Sequence, residues 1–458
     1  MRPKLRYDCT AKSSETDFRS KCSRCKVLKS AQSSKSYRNQ TLAAFGFRLS
    51  ALIQRSRGGI LRGIRSYTAW LSVLLLVIPF FLWPVHSMAI QELIPKLSLD
   101  LTYDDNINFS YTLSQRDWIY EIRPSLSWRY RTERDILDVR AGLHGQKYNT
   151  EDDLDTLDQD YRLYASREVF YSTIVSLRGR YTLDTTLDDE FTEEGLLLYR
   201  EDRTVYSLEP AVQWQATERS TWTFSAPIYH VNYEGDENVD YSSEYLILNY
   251  SYLLNDEKTS LLTQPSIGFV NSEHVDTKVY QMMFGVGREF TERLFAELMA
   301  GFSYTRSHID ERFEKVGSIP IKVQDEENFD KTGWVATGEL KWDWDKGQWE
   351  MNFVRRVSPS GYGQILIKDR LTTGASWRIT ERMRFKGKLS AGKVKSQDNK
   401  EFENYDYVTY DISPAIVYRL SERIDVGAYY RYSIIDDKEE SEIKHRNQFF
   451  IRLDYKGP

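Results

Sequence analysis

Cysteine is scarce in this chain. Three cysteines occur among 458 residues, and Cys9, Cys22 and Cys25 all lie near the N-terminus. The spacing of Cys22 and Cys25 could form half of a zinc site, but no second pair of Cys or His accompanies it, so a four-ligand structural site is not predicted. The remainder has no cysteine, which suits a protein that crosses an oxidising compartment unfolded.

Long apolar runs are also scarce, and the mean hydropathy is -0.56. A bundle of membrane helices is therefore excluded. The one strongly apolar run spans residues 66–89; it follows several arginines and ends on small residues, which is the pattern of a secretory signal peptide. A single membrane helix is the alternative, but Pro79 and Pro84 interrupt the run and no basic segment follows it. We expect cleavage near Ala89.

Acidic side chains outnumber basic ones in the part of the chain that follows residue 65. Residues 1–65 hold 16 Lys or Arg against 3 Asp or Glu, whereas the rest of the chain holds 46 against 64. The basic segment lacks apolar periodicity, so we expect a disordered extension, either a long n-region or the product of a start codon assigned too early. The acidic body argues against a nucleic-acid partner, which needs a basic surface.

Aromatic residues, by contrast, make up 14% of the chain, and they alternate with polar residues. In residues 117–130, DWIYEIRPSLSWRY, every second position from Trp118 to Tyr130 is apolar, and the positions between them are polar apart from Ile119. Residues 406–420 repeat the design. A helix would place apolar residues three and four apart, so these windows predict β-strands.

Polar segments between the strands alternate in length, and five of the shorter ones carry Thr-Glu-Arg or Ser-Glu-Arg. Short turns are predicted at 132–134, 166–168, 217–219, 255–258, 291–293, 345–348, 380–382 and 421–423. Longer loops are predicted at 104–116, 148–158, 183–202, 233–240, 271–277, 307–329, 358–364, 394–405 and 434–444. This pattern predicts an all-β fold: a transmembrane antiparallel up-and-down β-barrel of about 16–18 strands over residues 90–458, with short periplasmic turns and long external loops.

The alternative all-β fold is a soluble sandwich. Successive strands carry more apolar residues than one soluble core could accommodate, which favours the barrel. Pro124, Pro210 and Pro414 fall within predicted strands, where proline removes a hydrogen bond of the sheet, and we expect local bulges there.

Basic residues recur on the polar face of the strands, which points into the lumen if the aromatic face meets lipid. The candidate lumen or constriction residues are Arg123, Arg140, Arg178, Arg180, Arg370, Arg378, Arg384, Lys386 and Lys388. Acidic residues such as Glu121 and Asp138 share that interior, so cross-strand ion pairing is one interpretation. The other is a charged constriction that selects anionic solutes or polymers.

The sequence does not predict catalysis. A barrel hydrolase would need a nucleophile at the outer rim beside His230 or His274, but acidic residues near a histidine are expected by chance in so acidic a chain. The segment Glu151–Asp160 has closely spaced carboxylates and lacks the glycine of an EF-hand loop, which indicates a solvated loop, with a divalent cation shared with lipopolysaccharide as the alternative. We expect no enzyme activity, no metal site and no cofactor.

The segment from Pro95 to Tyr130 resembles the start of the type-2 β-barrel porin family. The resemblance rests on the Tyr103–Ile107 motif YDDNI, on Asp117 and on the Ile122–Pro124 motif IRP. This family comprises outer-membrane proteins often associated with exopolysaccharide and exosortase systems, so the resemblance implies an outer-membrane barrel and polymer export. It implies no catalytic residue.

These observations predict an outer-membrane channel of a Gram-negative bacterium, either porin-like or the outer port of an exopolysaccharide export system. A structural or adhesive barrel plugged by its loops, especially 307–329 and 183–202, is the alternative. The expected partners are outer-membrane lipid and lipopolysaccharide, the barrel-assembly machinery and polysaccharide-export components.

Overall fold

The computed structural model of the chain describes a set of ranges separated by short gaps. They are residues 89–111, 114–186, 200–235, 238–272, 275–309, 312–316, 319–324, 327–359, 365–396, 406–438 and 441–457. The predicted basic extension at 1–65 and all of the predicted signal peptide except Ala89 lie outside them. No helix in the described ranges is long and apolar enough to span a bilayer.

Alternating sequence forms long strands throughout the described chain. The strands are β1 Ile90–Asp104, β2 Asp117–Arg131, β3 Asp135–Tyr148, β4 Thr156–Phe170, β5 Thr173–Thr185, β6 Asp202–Gln215, β7 Ser220–Ser225, β8 Ile228–Tyr233, β9 Tyr241–Leu253, β10 Thr259–Ser272, β11 Val275–Thr291, β12 Leu294–Ile309, β13 Arg312–Val316, β14 Ile319–Gln324, β15 Glu327–Trp344, β16 Gly347–Pro359, β17 Ile365–Arg378, β18 Met383–Ser396, β19 Asp406–Arg419, β20 Ile424–Asp437 and β21 Glu442–Lys456. A 3-10 turn covers Asp152–Leu154.

The strands close into a barrel because the first pairs with the last. β1 is antiparallel to both β2 and β21, with Leu99 opposite Ile122 on one side and Leu453 on the other. β7 and β8 follow one another in a single position between β6 and β9, while β13 and β14 form a separate hairpin. The barrel therefore has eighteen strand positions, and the predicted fold class is confirmed.

The Thr-Glu-Arg motif forms turns through its hydroxyl group. In all five copies the side-chain oxygen of the first residue accepts a hydrogen bond from the backbone N–H of the arginine two residues later, at 3.2 to 3.3 Å. The five hydroxyl residues are Thr132, Thr217, Thr291, Thr380 and Ser421. The hydroxyl thus satisfies a donor that the sheet leaves unpaired, which explains why the motif recurs at one end of the barrel.

One predicted short turn is misplaced. The polar stretch 166–168 lies inside β4, and the chain turns at 171–172 instead. Arg167 belongs to the strand because its Nε donates to Asp135 Oδ1 on β3 at 2.6 Å, with both side chains largely buried. The charge of this stretch reflects an ion pair across the sheet rather than exposure at a turn.

Two predicted long loops are much shorter than expected. Two residues separate β10 from β11, where a loop over 271–277 was predicted, and four separate β20 from β21, where 434–444 was predicted. Polar residues in these stretches belong to strands and face other polar groups. The hydroxyls of Thr277 and Ser307, for example, are buried and lie 2.8 Å apart. The expected strict alternation of short and long connections is therefore wrong at two places.

The prolines within strands do not cause bulges. On both sides of Pro124 and Pro414 the residue pairing keeps one register, with only the proline and its neighbour left unpaired towards β3 and β20 respectively. At Pro210 the carbonyl still accepts a hydrogen bond from Ala226 at 3.0 Å. Proline lacks a donor on one side only, and the intact ladder on the other side holds the strand in register, so the bulge prediction is wrong.

The two faces of the sheet differ in chemistry. Large apolar side chains such as Trp118, Tyr120 and Ile122 are exposed on the outside. Glu121 and Arg123 occupy the alternate positions of the same strand and point inward. A closed sheet whose outer surface is apolar is the architecture of an outer-membrane β-barrel.

Candidate functional site in the barrel lumen

The lumen is filled at the end that carries the longer loops. Nine buried residues form one packed cluster there, which we name the closure cluster: Phe109, Val205, Val231, Tyr233, Tyr241, Leu366, Val394, Tyr407 and Ile435. Eight of them come from the walls, on β6, β8 and β9 and on β17 to β20. Since β8 and β19 lie nine strand positions apart in an eighteen-strand barrel, the cluster packs across the lumen.

Phe109 is the member of the closure cluster that comes from the first loop. Its side chain is only 2% exposed, although its backbone has a φ of 50°, in the left-handed region. A non-glycine residue there costs on the order of 1 kcal/mol, whereas burying a phenylalanine contributes roughly 1.5–3 kcal/mol. Burial of the ring therefore outweighs the backbone strain.

The loop that carries Phe109 is fixed to the last strand. The amide nitrogen of Asn106 donates to the carbonyl of His445 at 2.8 Å, and Asp105 binds the backbone and side chain of Asn447, each at 2.7 Å. The guanidinium of Arg446 lies 5.9 Å from the Phe109 ring. These contacts hold the first loop inside the barrel.

The nine predicted lumen residues all lie on strand positions that face inward, but they differ in their partners. Arg123 is embedded in ion pairs: it binds Glu121, and its Nη1 lies 2.5 Å from Asp100, whose carboxylate is also held by Arg452 at 2.7 Å. Thr102 donates a further hydrogen bond to Glu121 at 2.7 Å. Arg123 therefore stabilises the seam where the barrel closes.

His144 extends this chain of charges and was not singled out from the sequence. Its Nε2 lies 2.8 Å from Glu121 and its Nδ1 lies 3.1 Å from Asp158 on β4. Because both ring nitrogens face carboxylates, which only accept hydrogen bonds, the arrangement suits the doubly protonated imidazolium. Only strand register brings the three side chains together, so the sequence offered no local signal.

Of the other predicted residues, two have carboxylate partners. Arg178 lies 3.5 Å from Glu209 and Arg180 lies 3.2 Å from Asp160. Arg370 lies on β17 opposite Val354.

The remaining five form no ion pair with any residue that the structure describes: Arg140, Arg378, Arg384, Lys386 and Lys388. Cross-strand ion pairing therefore explains only part of the predicted set.

The basic residues gather in two cavities on opposite walls. A cavity of about 550 Å³ is lined by Arg140, Arg178 and Arg180, together with Lys96, Arg129 and Arg162, which the sequence prediction omitted although they share the inward face. A cavity of about 590 Å³ is lined by Arg378, Arg384, Lys386 and Lys388. Nine strand positions separate β5 from β17, half of the circumference. We name the two sets the first and second basic patches.

Both patches lie towards the short-turn end, away from the closure cluster. Arg140, Arg178, Lys386 and Lys388 are exposed there, whereas inward residues at the opposite end, such as Asp104, are buried. The lumen is therefore a charged vestibule that opens towards the short turns and ends at an apolar closure.

The described residues that the sequence suggested for catalysis and metal binding do not line the two cavities of the basic patches. His230 is on the outward face beside the Tyr206 ring at 6.4 Å, and His274 lies outside the described residues. In the acidic segment, Lys147 binds Asp152 and Asp155 at 2.7 Å each, and the hydrogen bond from Lys147 to Asp155 lowers the pKa of the Asp155 carboxyl. Among the described residues, no group of three metal-ligating side chains converges on one point.

Comparisons with known proteins give likenesses of structure only. No family model and no curated protein matches the sequence, so the resemblance to type-2 porins stays a prediction. Similar solved structures include the ferric-catecholate import receptor Fiu from E. coli K12, with a TM-score of 0.44 and 7% identity over 80% of this chain and 82% of that one. They also include the outer membrane protein opdK from Pseudomonas aeruginosa, with a TM-score of 0.40 and 10% identity over 80% and 99%. The barrel itself is established by the strand pairing.

Proposed function

We propose that this chain is an outer-membrane channel for hydrophilic anions whose external end is closed in this structure. The observation that carries the proposal is the pair of basic patches, which face each other across the vestibule with five cations that have no ion pair in the described chain. Rings of charge of one sign select ions of the opposite sign in pores. Short turns lie on the periplasmic side in outer-membrane barrels, so the vestibule opens to the periplasm.

The route to the membrane follows from the same proposal. The predicted signal peptide at 66–89 would direct the chain across the inner membrane, and the barrel-assembly machinery would insert it. The exposed apolar belt, which includes Trp334 and Trp342, supports contact with outer-membrane lipid and lipopolysaccharide.

Ion selectivity in planar lipid bilayers tests the channel. We expect the reversal potential in a potassium chloride gradient to show a preference for chloride, and the double substitution Lys386→Gln and Lys388→Gln to reduce it. The matched control is Lys393→Gln with Lys395→Gln on the same strand, because both lie on the opposite face. Equal effects of the two pairs would contradict selection by the second basic patch.

The second candidate is a structural or adhesive barrel that stays plugged, and the closure cluster favours it. The described members of that cluster come from the first loop and the walls. Residues 187–199 of the loop 183–202 and the side chains of 310–327 in the loop 307–329, which the sequence suggested as plugs, lie outside the described part of the chain. The two candidates separate in one measurement: a permanent plug gives no current in the wild-type chain or after Phe109→Ala.

A finer proposal is that the channel is the outer port for an exopolysaccharide. The sequence resemblance and the periplasmic vestibule support it, since a charged hydrophilic lumen suits a hydrophilic polymer. Deleting the gene should leave polymer in the periplasm; unchanged polymer at the cell surface would reject export and leave the small-anion channel in place.

A further inference from the structure

Three arginines lie side by side in the first basic patch. Arg140 on β3 is directly opposite Arg162 on β4, and Arg162 is directly opposite Arg180 on β5. Neighbouring strands are about 4.8 Å apart, so the row spans roughly 10 Å. Ser127 precedes the row on β2 and Ser207 follows it on β6, each opposite the adjacent arginine.

Such a row opposes folding unless something offsets its charge, because like charges directly opposite one another destabilise a sheet. Asp160 lies two residues before Arg162 on the same face of β4 and contacts two of the arginines. Its carboxylate is 2.7 Å from Arg162 Nε and 3.2 Å from Arg180 Nε. Arg140 has no ion pair with a described residue.

The row of arginines also faces a cavity that is large enough to hold a small ligand. The cavity of about 550 Å³ in front of it is lined by all three arginines, by both serines and by Tyr164 and Tyr229. Half of the Arg162 side chain is exposed, at 52%, even though it touches Asp160. Guanidinium groups can therefore direct donors into the cavity while they remain attached to the wall.

We propose that Arg140, Arg162 and Arg180, with the hydroxyls of Ser127 and Ser207, form a binding site for a multivalent oxyanion. The ligand carries two or more carboxylate, phosphate or sulfate groups within about 10 Å, the span of three adjacent strands. Arginine suits these groups because its planar fork donates two parallel hydrogen bonds to one oxyanion. Hydroxyl donors at the two ends of the row extend the site beyond the three charges.

The site deepens the proposed channel function by naming a ligand class for one wall of the vestibule. Its test needs no flow across a membrane, so the two proposals can fail separately. Loss of current with intact anion binding would reject the channel and keep the site, whereas current without specific binding would do the reverse.

The experiment uses the full barrel in detergent micelles, with calorimetry and thermal unfolding at constant ionic strength. Tripolyphosphate and citrate are added separately, and sulfate and acetate, which carry one anionic group each, serve as the comparison. We expect tripolyphosphate or citrate to bind and to raise the unfolding midpoint more than the single-group anions do. Which of the two binds more tightly distinguishes a phosphate ligand from a carboxylate ligand.

Arg140→Gln carries the decisive prediction because Arg140 forms no ion pair with any residue in the described ranges. It should weaken anion binding by about tenfold or more, the effect of one hydrogen bond to a charged group. It should also leave the unliganded midpoint unchanged or raised, since one of the like charges is gone. A residue with a merely structural role would lower that midpoint.

Two further variants complete the test. Arg423→Gln removes an exposed arginine from the short turn 421–423, outside both basic patches, and should keep wild-type anion affinity. Arg140→Lys retains the charge without the fork and should bind with intermediate affinity, which protects the test if Arg140→Gln folds poorly. Equal weakening by Arg140→Gln and Arg423→Gln, or no difference between the anions with several groups and the single-group anions, would overturn the site.

Discussion

Phe109 and Arg446 join the first loop to the last strand at the closed end of the lumen. The Arg446 guanidinium lies over the Phe109 ring at 5.9 Å, and its Nη2 is 2.6 Å from Asp104, the last residue of β1. All three side chains are buried. The buried ion pair thus fixes the base of the first loop, and the loop contributes Phe109 to the closure cluster.

Replacing Phe109 with alanine should open the lumen. The substitution removes the one described member of the closure cluster that comes from the first loop, and loss of a buried phenylalanine costs about 3–5 kcal/mol in a packed cluster. We expect current steps in planar bilayers to become larger or more frequent than in the wild-type chain. Phe284→Ala, on the exposed outer face, is the control and should leave the current unchanged. An unaltered current after Phe109→Ala would show that other residues close the lumen.

Replacing Asp104 with asparagine should destabilise the barrel strongly. Arg446 and Gln448 both donate to Asp104, at 2.8 Å each, and removal of one partner from a buried ion pair costs about 3–5 kcal/mol. Urea unfolding in detergent, followed by the shift in gel mobility between folded and unfolded forms, measures the loss. Asp330→Asn breaks the exposed pair with Arg306 at 3.8 Å and should have little effect. Similar losses in both variants would argue against a special role for the buried pair.

The turn hydroxyls should contribute to stability without affecting conduction. Thr380 accepts hydrogen bonds from the N–H groups of Arg382 and Met383, at 3.3 and 2.9 Å. Thr380→Ala should lower the free energy of unfolding by about 1 kcal/mol, the net contribution of one such hydrogen bond. Thr380→Ser keeps the hydroxyl and should retain most of that stability. If serine is no better than alanine, the motif stabilises the turn in some other way.

The strands could be predicted because their signal is local. Alternation from Trp118 to Tyr130 repeats within a few residues, and it identified both the strand and the face that carries Arg123. Polarity was a poorer guide to loops, since Thr277 is buried beside another hydroxyl rather than exposed.

Contacts between distant strands could not be predicted from one sequence. His144 meets Glu121 and Asp158 only through strand register. Phe109 joins a cluster drawn from opposite walls only because the sheet closes on itself. The predicted basic residues shared one face, but which of them lack ion pairs depends on which carboxylates the register places beside them.

Arg123 and Arg140 separate the two roles that the sequence left open for the basic residues. Arg123→Gln leaves Glu121 and Asp100 with fewer partners in a buried network, and breaking such a pair costs on the order of 3 kcal/mol. The double variant with Glu121→Gln should lose less than the sum of the two single losses, because the charges are coupled. Arg140→Gln, on the same inner surface but without an ion pair to the part of the chain that the structure describes, should leave the free energy of unfolding unchanged or raised. These values come from unfolding the wild-type chain and four variants under one set of conditions: the two single substitutions, their double variant and Arg140→Gln. A loss after Arg140→Gln as large as that after Arg123→Gln would mean that both residues stabilise the wall, and it would remove the distinction between structural and ligand-binding arginines in this lumen.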